Sequence, residues 1–368
     1  MIKYLYLDDE ETTTIKPYSD MVVEHSKELH IDVEHPAAFQ NNSALINRLE
    51  GYQGLILDWR LDEISSKTDK KKADFRAATL AQEIRTRETE KEIHPMPIVI
   101  WSQESKLKRS YQGDFTSHDL FNFVYKKDEI VANPDIVHDQ LLSLALGYKY
   151  IDKFKSTKKK FNLSDLLKAK DSYVDIRVQE YFNSTARTVH EIARFIIQDL
   201  LHRPGLLIDE RRLASRLGVD KDVSKDWTKV LDLIKKYKYL GPFGEAWERW
   251  WAFGVEKEWW LSTSDQDSPI SLLNAKERVE IIKKKTGFRN LIMAEPIKPK
   301  YHTRFYTICE YTKKPLDPID GVIIAEKEPQ PWQERRYISL DVALEGRGGF
   351  VPDPTEKERL NRLKQKGR

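Results

Sequence analysis

The first 150 residues alternate short apolar runs with longer amphipathic ones. IKYLYL (2–7) reads as a strand and residues 12–29 as a helix. HIDVEH (30–35) predicts a second, short strand. SALINRLEG (43–51) predicts a helix closed by Gly51, a residue type that favours helix ends. GLILD (54–58) reads as a third strand, and ADFRAATLAQEIRTRE (73–88) places Phe75, Leu80 and Ile84 near helical spacing. PIVIW (97–101) and FNFVY (121–125) are the fourth and fifth strands. PDIVHDQLLSLALGY (134–148) is a closing helix, with Pro134 and Asp135 at its start and Gly147 at its end. Five strands interleaved with helices predict a parallel sheet covered on both faces.

The pattern then changes. KFKSTKKK (153–160) marks a lysine-rich linker, set at 151–162. Residues 163–300 read as a mainly helical domain, with TARTVHEIARFIIQDLL (185–201) its strongest stretch. Within it, 207–241 reads as helix, turn at Gly218, helix, which is the layout of a helix-turn-helix unit. Trp247, Trp250, Trp251, Trp259 and Trp260 recur near helical spacing and read as core or interface packing, or as the lining of a ligand pocket. Residues 301–352 form a small β-containing part, with strands expected in RFYTICEY, GVIIA and RYISLDVAL around the turn-rich KKPLDPIDG, whose Asp317 and Asp320 read as turn residues. A charged tail, 353–368, completes the chain.

Length and composition narrow the class. A chain of 368 residues has room for two or three domains with real cores. No apolar run approaches the roughly 18 residues of a membrane span, and the N-terminal apolar run is too short for a signal peptide. The single cysteine, Cys309, excludes an internal disulfide and a multi-cysteine zinc site, so a cytoplasmic location is expected. The net charge of +3 conceals an asymmetry: residues 1–150 hold 19 basic and 26 acidic residues, leaving 43 and 33 for residues 151–368. An acidic front and a basic back suggest two modules with different partners, the basic one facing nucleic acid, an acidic protein or only solvent.

Candidate chemistry gathers at strand ends. The first strand ends in Asp8, Asp9 and Glu10, the third in Asp58, the fourth in Ser102 and the fifth in Lys126 and Lys127. In an open parallel sheet those ends lie along one edge, where ligands bind. Clustered carboxylates repel unless a cation joins them. Oxygen ligands suit Mg²⁺, and a neutralised carboxylate is able to accept a phosphoryl group. Elsewhere, Cys309 with His302 is only a weak nucleophile pair, and His190 reads as a satisfied core histidine.

YLYLDDE, LILDWRL, PIVIWS and FVYK, in that order, resemble the receiver domain of two-component response regulators over about 1–150. The resemblance implies a flavodoxin-like (CheY-like) five-stranded doubly wound parallel sheet. It implies Asp8, Asp9 and Asp58 as Mg²⁺ ligands with the backbone carbonyl of Arg60, Asp58 as phosphoacceptor, Ser102 as switch hydroxyl, Lys126 as the phosphoryl-pairing cation and Phe123 as switch aromatic. Lys126 is preferred to Lys127 because it places Phe123 three residues earlier. Implied partners are a sensor histidine kinase or phosphotransfer protein and a second copy meeting the face of the family's fourth helix, fifth strand and fifth helix. The sequence departs from the family in its long loop at 62–74, in Gln103 after the switch hydroxyl, and in bulky Trp59 and Trp101. Three readings follow: a Mg²⁺-dependent phosphorelay protein passing its switch to a C-terminal output region, a degenerate receiver serving as a phosphate-independent interaction scaffold, and a phosphorylation-gated DNA-binding regulator. A receiver joined to an unfamiliar back half also suits a stress- or phage-defence signalling cassette.

Overall fold

A computed structural model describes residues 1–39, 42–62, 73, 75–111, 117–157, 161–264 and 269–366. The chain forms two compact units. The first comprises Met1–Asn162, Phe182–Ile197 and Gly241–Trp247, and the second Leu163–Tyr181, Gln198–Leu240 and Glu248–Arg368.

In the first unit, β1 (Ile2–Leu7), β2 (Leu29–Glu34), β3 (Gly54–Leu57), β4 (Ile98–Ser102) and β5 (Phe123–Lys126) make one sheet in the order 2-1-3-4-5. Every pairing is parallel. That order is the flavodoxin-like doubly wound arrangement. It agrees with the alternation in the sequence, because β3 and β4 are buried along their whole length, as strands covered on both faces must be. One face packs Leu5, Leu7, Leu55, Leu57, Ile98 and Ile100 against α2 (Asn42–Arg48) and α3 (Ala77–Glu90). The other carries Tyr4, Tyr6, Trp101 and Tyr125. Tyr4 Oη donates to the Leu141 carbonyl and Tyr125 Oη to Gln140 Oε1, both on α5 (Pro134–Thr157).

Element edges differ from the sequence reading in informative places. Helix α1 (Thr12–Val23) stops well short of residue 29, where β2 begins. The closing helix α5 does not end at Gly147 but runs on to Thr157, through most of the lysine-rich stretch read as linker. Gly147 is buried inside it. Lys158–Lys160 lie outside the described residues.

The second unit is mainly helical, with three two-stranded antiparallel ribbons. Segment 207–241 does contain two helices, Glu210–Leu217 and Trp227–Ile234. Gly218 closes the first in the left-handed region, with φ +73°. Trp250 and Trp251 are not helical but form a strand against Leu207 and Ile208. Those two, Trp259 and Trp260 are buried in the second unit, and Trp247 is buried in the first. Of RYISLDVAL, Tyr337–Ser339 is strand, whereas Leu340–Leu344, also expected as strand, belong to the helix Leu340–Glu345. Arg216, 1% exposed, ties the unit together: Nη2 donates to both Glu334 oxygens (2.5 and 2.7 Å), Nη1 to Glu256, and its guanidinium lies 4.2 Å from the Tyr306 ring centroid. Such a buried pair stabilises only while both partners are present. Cys309 and His302 have separate partners: Cys309 Sγ accepts from the Ser339 N–H at 3.2 Å, and His302 Nδ1 lies 3.0 Å from Asp320 Oδ2.

Candidate functional site

The sheet register builds the site. Leu7 is paired with Leu57, and the Asp58 N–H donates to the Leu7 carbonyl at 2.9 Å, so Asp8 and Asp58 leave the sheet side by side. Asp8, Asp9 and Asp58 are all buried, and one oxygen from each lies within 4.8 Å of the others. Carboxylates so placed repel by about 4 kcal/mol per ionised pair at an effective dielectric of ~20. The cluster therefore needs cations.

The structure supplies two of them from the chain. Lys127 Nζ lies 2.9 Å from Asp8 Oδ2 and 3.3 Å from Glu10 Oε2. Lys106, at the end of the helical turn α4 (Glu104–Lys106), places Nζ 2.8 Å from Asp58 Oδ2 and 3.2 Å from Asp9 Oδ1. The remaining polar contacts fix orientations. Asp8 accepts from Tyr6 Oη (2.6 Å) and from the Glu10 N–H (3.0 Å), and Asp58 Oδ2 accepts from the Arg60 N–H at 3.2 Å. One Asp58 oxygen thus takes two donors. Its other oxygen, Oδ1, is buried with no partner among the described residues, and so is the hydroxyl of Ser102 on the neighbouring strand.

Burial, and next the charge of Asp8, push the Asp58 carboxyl up, while Lys106 pulls it back. Burial also raises Asp9 to about 6 against the pull of Lys106. Burial alone would lower Lys127, but Asp8, Asp58 and Glu10 hold it above its ordinary value.

Lys126 does not enter the cluster, which corrects the choice between the two lysines. Its Nζ faces solvent-exposed Glu104 (3.2 Å) and Glu129 (3.6 Å). The cause is strand alternation. Trp101 pairs with Tyr125, and Tyr6 packs edge-on against Trp101 with centroids 5.2 Å apart. The face of Tyr125 is thus the face of Tyr6 and Asp8, and the next side chain delivered to it is Lys127. Phe123 sits one alternation before Tyr125 on that same face, half-buried, stacked on Trp247 with centroids 4.9 Å apart. The Arg60 guanidinium pairs with Asp62 (2.9 Å). Gln103 Nε2 donates to Glu10 Oε1 (2.9 Å) at the rim. The long loop after the third strand lies outside the described residues except for Asp62, Ala73 and the segment from Phe75.

A small hard cation fits this donor set. Three carboxylates converge, and two buried oxygens, Asp58 Oδ1 and Ser102 Oγ, lack partners among the described residues. A cavity of about 930 Å³ opens elsewhere in the same unit, lined among others by Glu50, Glu88, His94, Asp152 and Lys155; no site residue lines it.

No protein-family model and no curated protein matches the chain. Two solved structures are similar to part of it. One is a response regulator receiver domain protein from Clostridium thermocellum, at 11% identity over 36% of this chain and 94% of that one, with a TM-score of 0.23. The other is the RcsB response regulator of Salmonella typhimurium, described for conformational dynamism for DNA interaction, at 15% identity over 53% of this chain and 84% of that one, also at 0.23. The receiver-like fold rests on strand order and register rather than on these scores. Among the described residues no helix is long and apolar enough to cross a membrane.

Proposed function

We propose that the chain is a response-regulator-like signalling protein whose first unit accepts a phosphoryl group on Asp58 and passes the change to its C-terminal region. One observation carries the reading: Asp58, buried at the mouth of β3, has one oxygen held by Lys106 and Arg60, while its other oxygen and the hydroxyl of Ser102 on the neighbouring strand have no partner among the described residues. A carboxylate so held is oriented for attack on phosphorus.

In this reading the Asp58 oxygen forms the P–O bond as the P–N bond of a kinase or phosphotransfer-protein phosphohistidine breaks, and the departing imidazole takes a proton from solvent. Asp8, Asp9 and Asp58, with the Arg60 carbonyl, would hold Mg²⁺, which when bound neutralises charge on the incoming group. Lys127 supplies a second, fixed positive charge, and Ser102 donates its hydroxyl to a phosphoryl oxygen. Output runs through Phe123. The stack of Trp247 on Phe123 favours output within the chain over a second copy docking on that face. DNA contact through 207–241, where Lys225, Lys235 and Lys236 are exposed, is a narrower version, and salt-dependent duplex binding is its test.

The test is intact mass after incubation with Mg²⁺ and acetyl phosphate, or with a phosphorylated histidine donor. A gain of one phosphoryl mass, absent in Asp58→Asn and blocked by EDTA, is expected. No gain with either donor would reject phosphotransfer and leave the scaffold reading.

A further inference from the structure

Lys126 and Lys127 at the end of the fifth strand were legible as candidate cations of the site; Lys106 was not. Its ammonium bridges two of the three carboxylates that would ligate a divalent ion, Asp58 at 2.8 Å and Asp9 at 3.2 Å, and stands 3.9 Å from Glu10 Oε1. Lys127 engages the cluster from the Asp8 side, with its ammonium 5.6 Å from the Tyr18 ring centroid. The two cations therefore divide the work: Lys127 neutralises Asp8, and Lys106 spans Asp9 and Asp58. Asp58 Oδ1 and Ser102 Oγ remain unpartnered and buried among the described residues, so Lys106 does not complete the site. The arrangement is that of a ligand site with a side chain standing in it.

Lys106 is also placed to report on what enters. It ends the single turn Glu104–Lys106, and the chain continues directly into the π-helical stretch Leu107–Tyr111. Leu107 is buried in the core beneath α3, and Tyr111 meets Trp59 edge-on with centroids 4.9 Å apart. A π-helical stretch is rare and frequently stands at functional positions. A cation that takes the oxygens of Asp9 and Asp58 competes with the 3.2 and 2.8 Å contacts by which Lys106 ties this segment to the carboxylates.

We propose that Lys106 is a tethered counter-ion: it holds the carboxylate cluster together in the metal-free protein, and a divalent cation entering the cluster displaces its ammonium and loosens residues 104–111. The inference rests on the reading of Asp8, Asp9 and Asp58 as cation ligands, and it deepens that reading. The site has two states, each neutralised by a different cation, and α4 distinguishes them without any phosphoryl group. A ligand shifts such an equilibrium only by its different affinity for the two states, and competition for shared oxygens supplies that difference.

The experiment uses the EDTA-treated full chain, titrated with MgCl₂ by calorimetry, with amide hydrogen exchange of residues 104–111 followed at zero and saturating Mg²⁺. Lys106→Met is expected to bind Mg²⁺ about tenfold more tightly than the unsubstituted protein, to melt lower in EDTA, and to gain more from Mg²⁺. Lys106→Arg, which keeps the charge, is expected to bind weakly. Any substitution that removes nearby positive charge raises cation affinity, so exchange is the discriminating readout. In the unsubstituted protein and in Lys127→Met, Mg²⁺ should accelerate exchange in 104–111, and in Lys106→Met it should not. Exchange unchanged by saturating Mg²⁺ in the unsubstituted protein would overturn the proposal, a result obtainable even if Lys106→Met fails to fold. Equal affinities for the unsubstituted protein and Lys106→Met would overturn it while leaving the cation site intact. Absence of Mg²⁺ binding in every variant would remove the cation site itself, and the proposal with it.

Discussion

The rings of Phe123 and Trp247 lie parallel, with centroids 4.9 Å apart and planes 10° from coplanar. Phe123 begins β5, and Trp247 ends Gly241–Trp247, a segment that belongs to the first compact unit although the chain on either side of it belongs to the second. The candidate switch aromatic is thus covered by residues that lead at once, in both directions, into the C-terminal region. Trp247→Ala is expected to destabilise the protein by about 3 kcal/mol, the usual range for deleting a buried tryptophan side chain, and to raise hydrogen exchange in 241–247 while Mg²⁺ affinity stays within about twofold. Denaturant melts, exchange and calorimetry on the same variant read all three. Loss of Mg²⁺ affinity would mean that the segment supports the site itself.

Gly147 argues the same docking from the opposite side. A Cβ added there would meet the Phe243 ring at 2.2 Å, far inside any real contact. Helix propensity alone would make Gly147→Ala stabilising by about 1 kcal/mol. Overpacking against a buried ring costs about 1–3 kcal/mol, so the expected sign is reversed: Gly147→Ala lowers the denaturation midpoint. Pairing it with Phe243→Leu, which makes room, should recover part of the loss and show the two changes to be coupled.

These contacts mark the limit of what the sequence disclosed. Period-two and period-3.6 patterns located the five strands and their order of use, because both signals come from neighbours in the chain. They also located Asp8, Asp9, Asp58 and Ser102, since each directly follows or ends an apolar run. Gly147 was misread as a helix end because a glycine that closes a helix and one that makes room for a ring look alike until the ring is found, and Phe243 lies almost a hundred residues away. Lys106 was invisible for a similar reason. It stands in KLKR, where composition makes every side chain look solvated, and only the fold brings it to Asp58. Lys126 and Lys127 differ by one position, and the alternation that buries Tyr125 resolves them, a signal present in the sequence but outweighed by the family spacing to Phe123.

The two lysines after β5 separate cleanly by experiment. Lys127 is buried against Asp8 and Glu10, whereas Lys126 is exposed beside Glu104 and Glu129. Removing the ammonium of Lys127 leaves Asp8 buried without its partner, a change that typically costs about 3–5 kcal/mol. Lys127→Met should therefore lower the melting temperature in EDTA and slow phosphoryl uptake from acetyl phosphate by tenfold or more. Lys126→Met should leave stability within about 0.5 kcal/mol and uptake within about twofold. The opposite ranking would return the role to Lys126.

His190 makes the first unit sensitive to acid. Its Nε2 lies 2.7 Å from the Asp119 carbonyl and must carry the proton, so Nδ1, 2.7 Å from Tyr148 Oη, accepts from that hydroxyl. Asn122 completes the chain: Nδ2 donates to Tyr148 Oη at 2.9 Å, and Oδ1 accepts from the Ile98 N–H at 3.0 Å. Every member is satisfied with the imidazole neutral. Burial, and next the charge of Arg85, hold its pKa well below the ordinary 6.5. The unfolded chain, with an ordinary histidine, therefore binds more protons than the folded one below about pH 6.5, and stability falls as pH drops through that value towards the folded pKa. The slope due to one such group reaches about 1.4 kcal/mol per pH unit. His202 in the second unit, lowered to about 4 by burial, contributes with the same sign. Asp9, raised to about 6, opposes both between about pH 4 and 6. The difference between the unsubstituted protein and His190→Gln isolates the first term. Urea unfolding from pH 7.5 to 5 should show the variant less stable at neutral pH but with a shallower loss on acidification. Parallel curves would mean that His190 takes up its proton as readily in the fold as in the unfolded chain, with Tyr148 turning its hydroxyl to Asn122 Oδ1, 3.1 Å away.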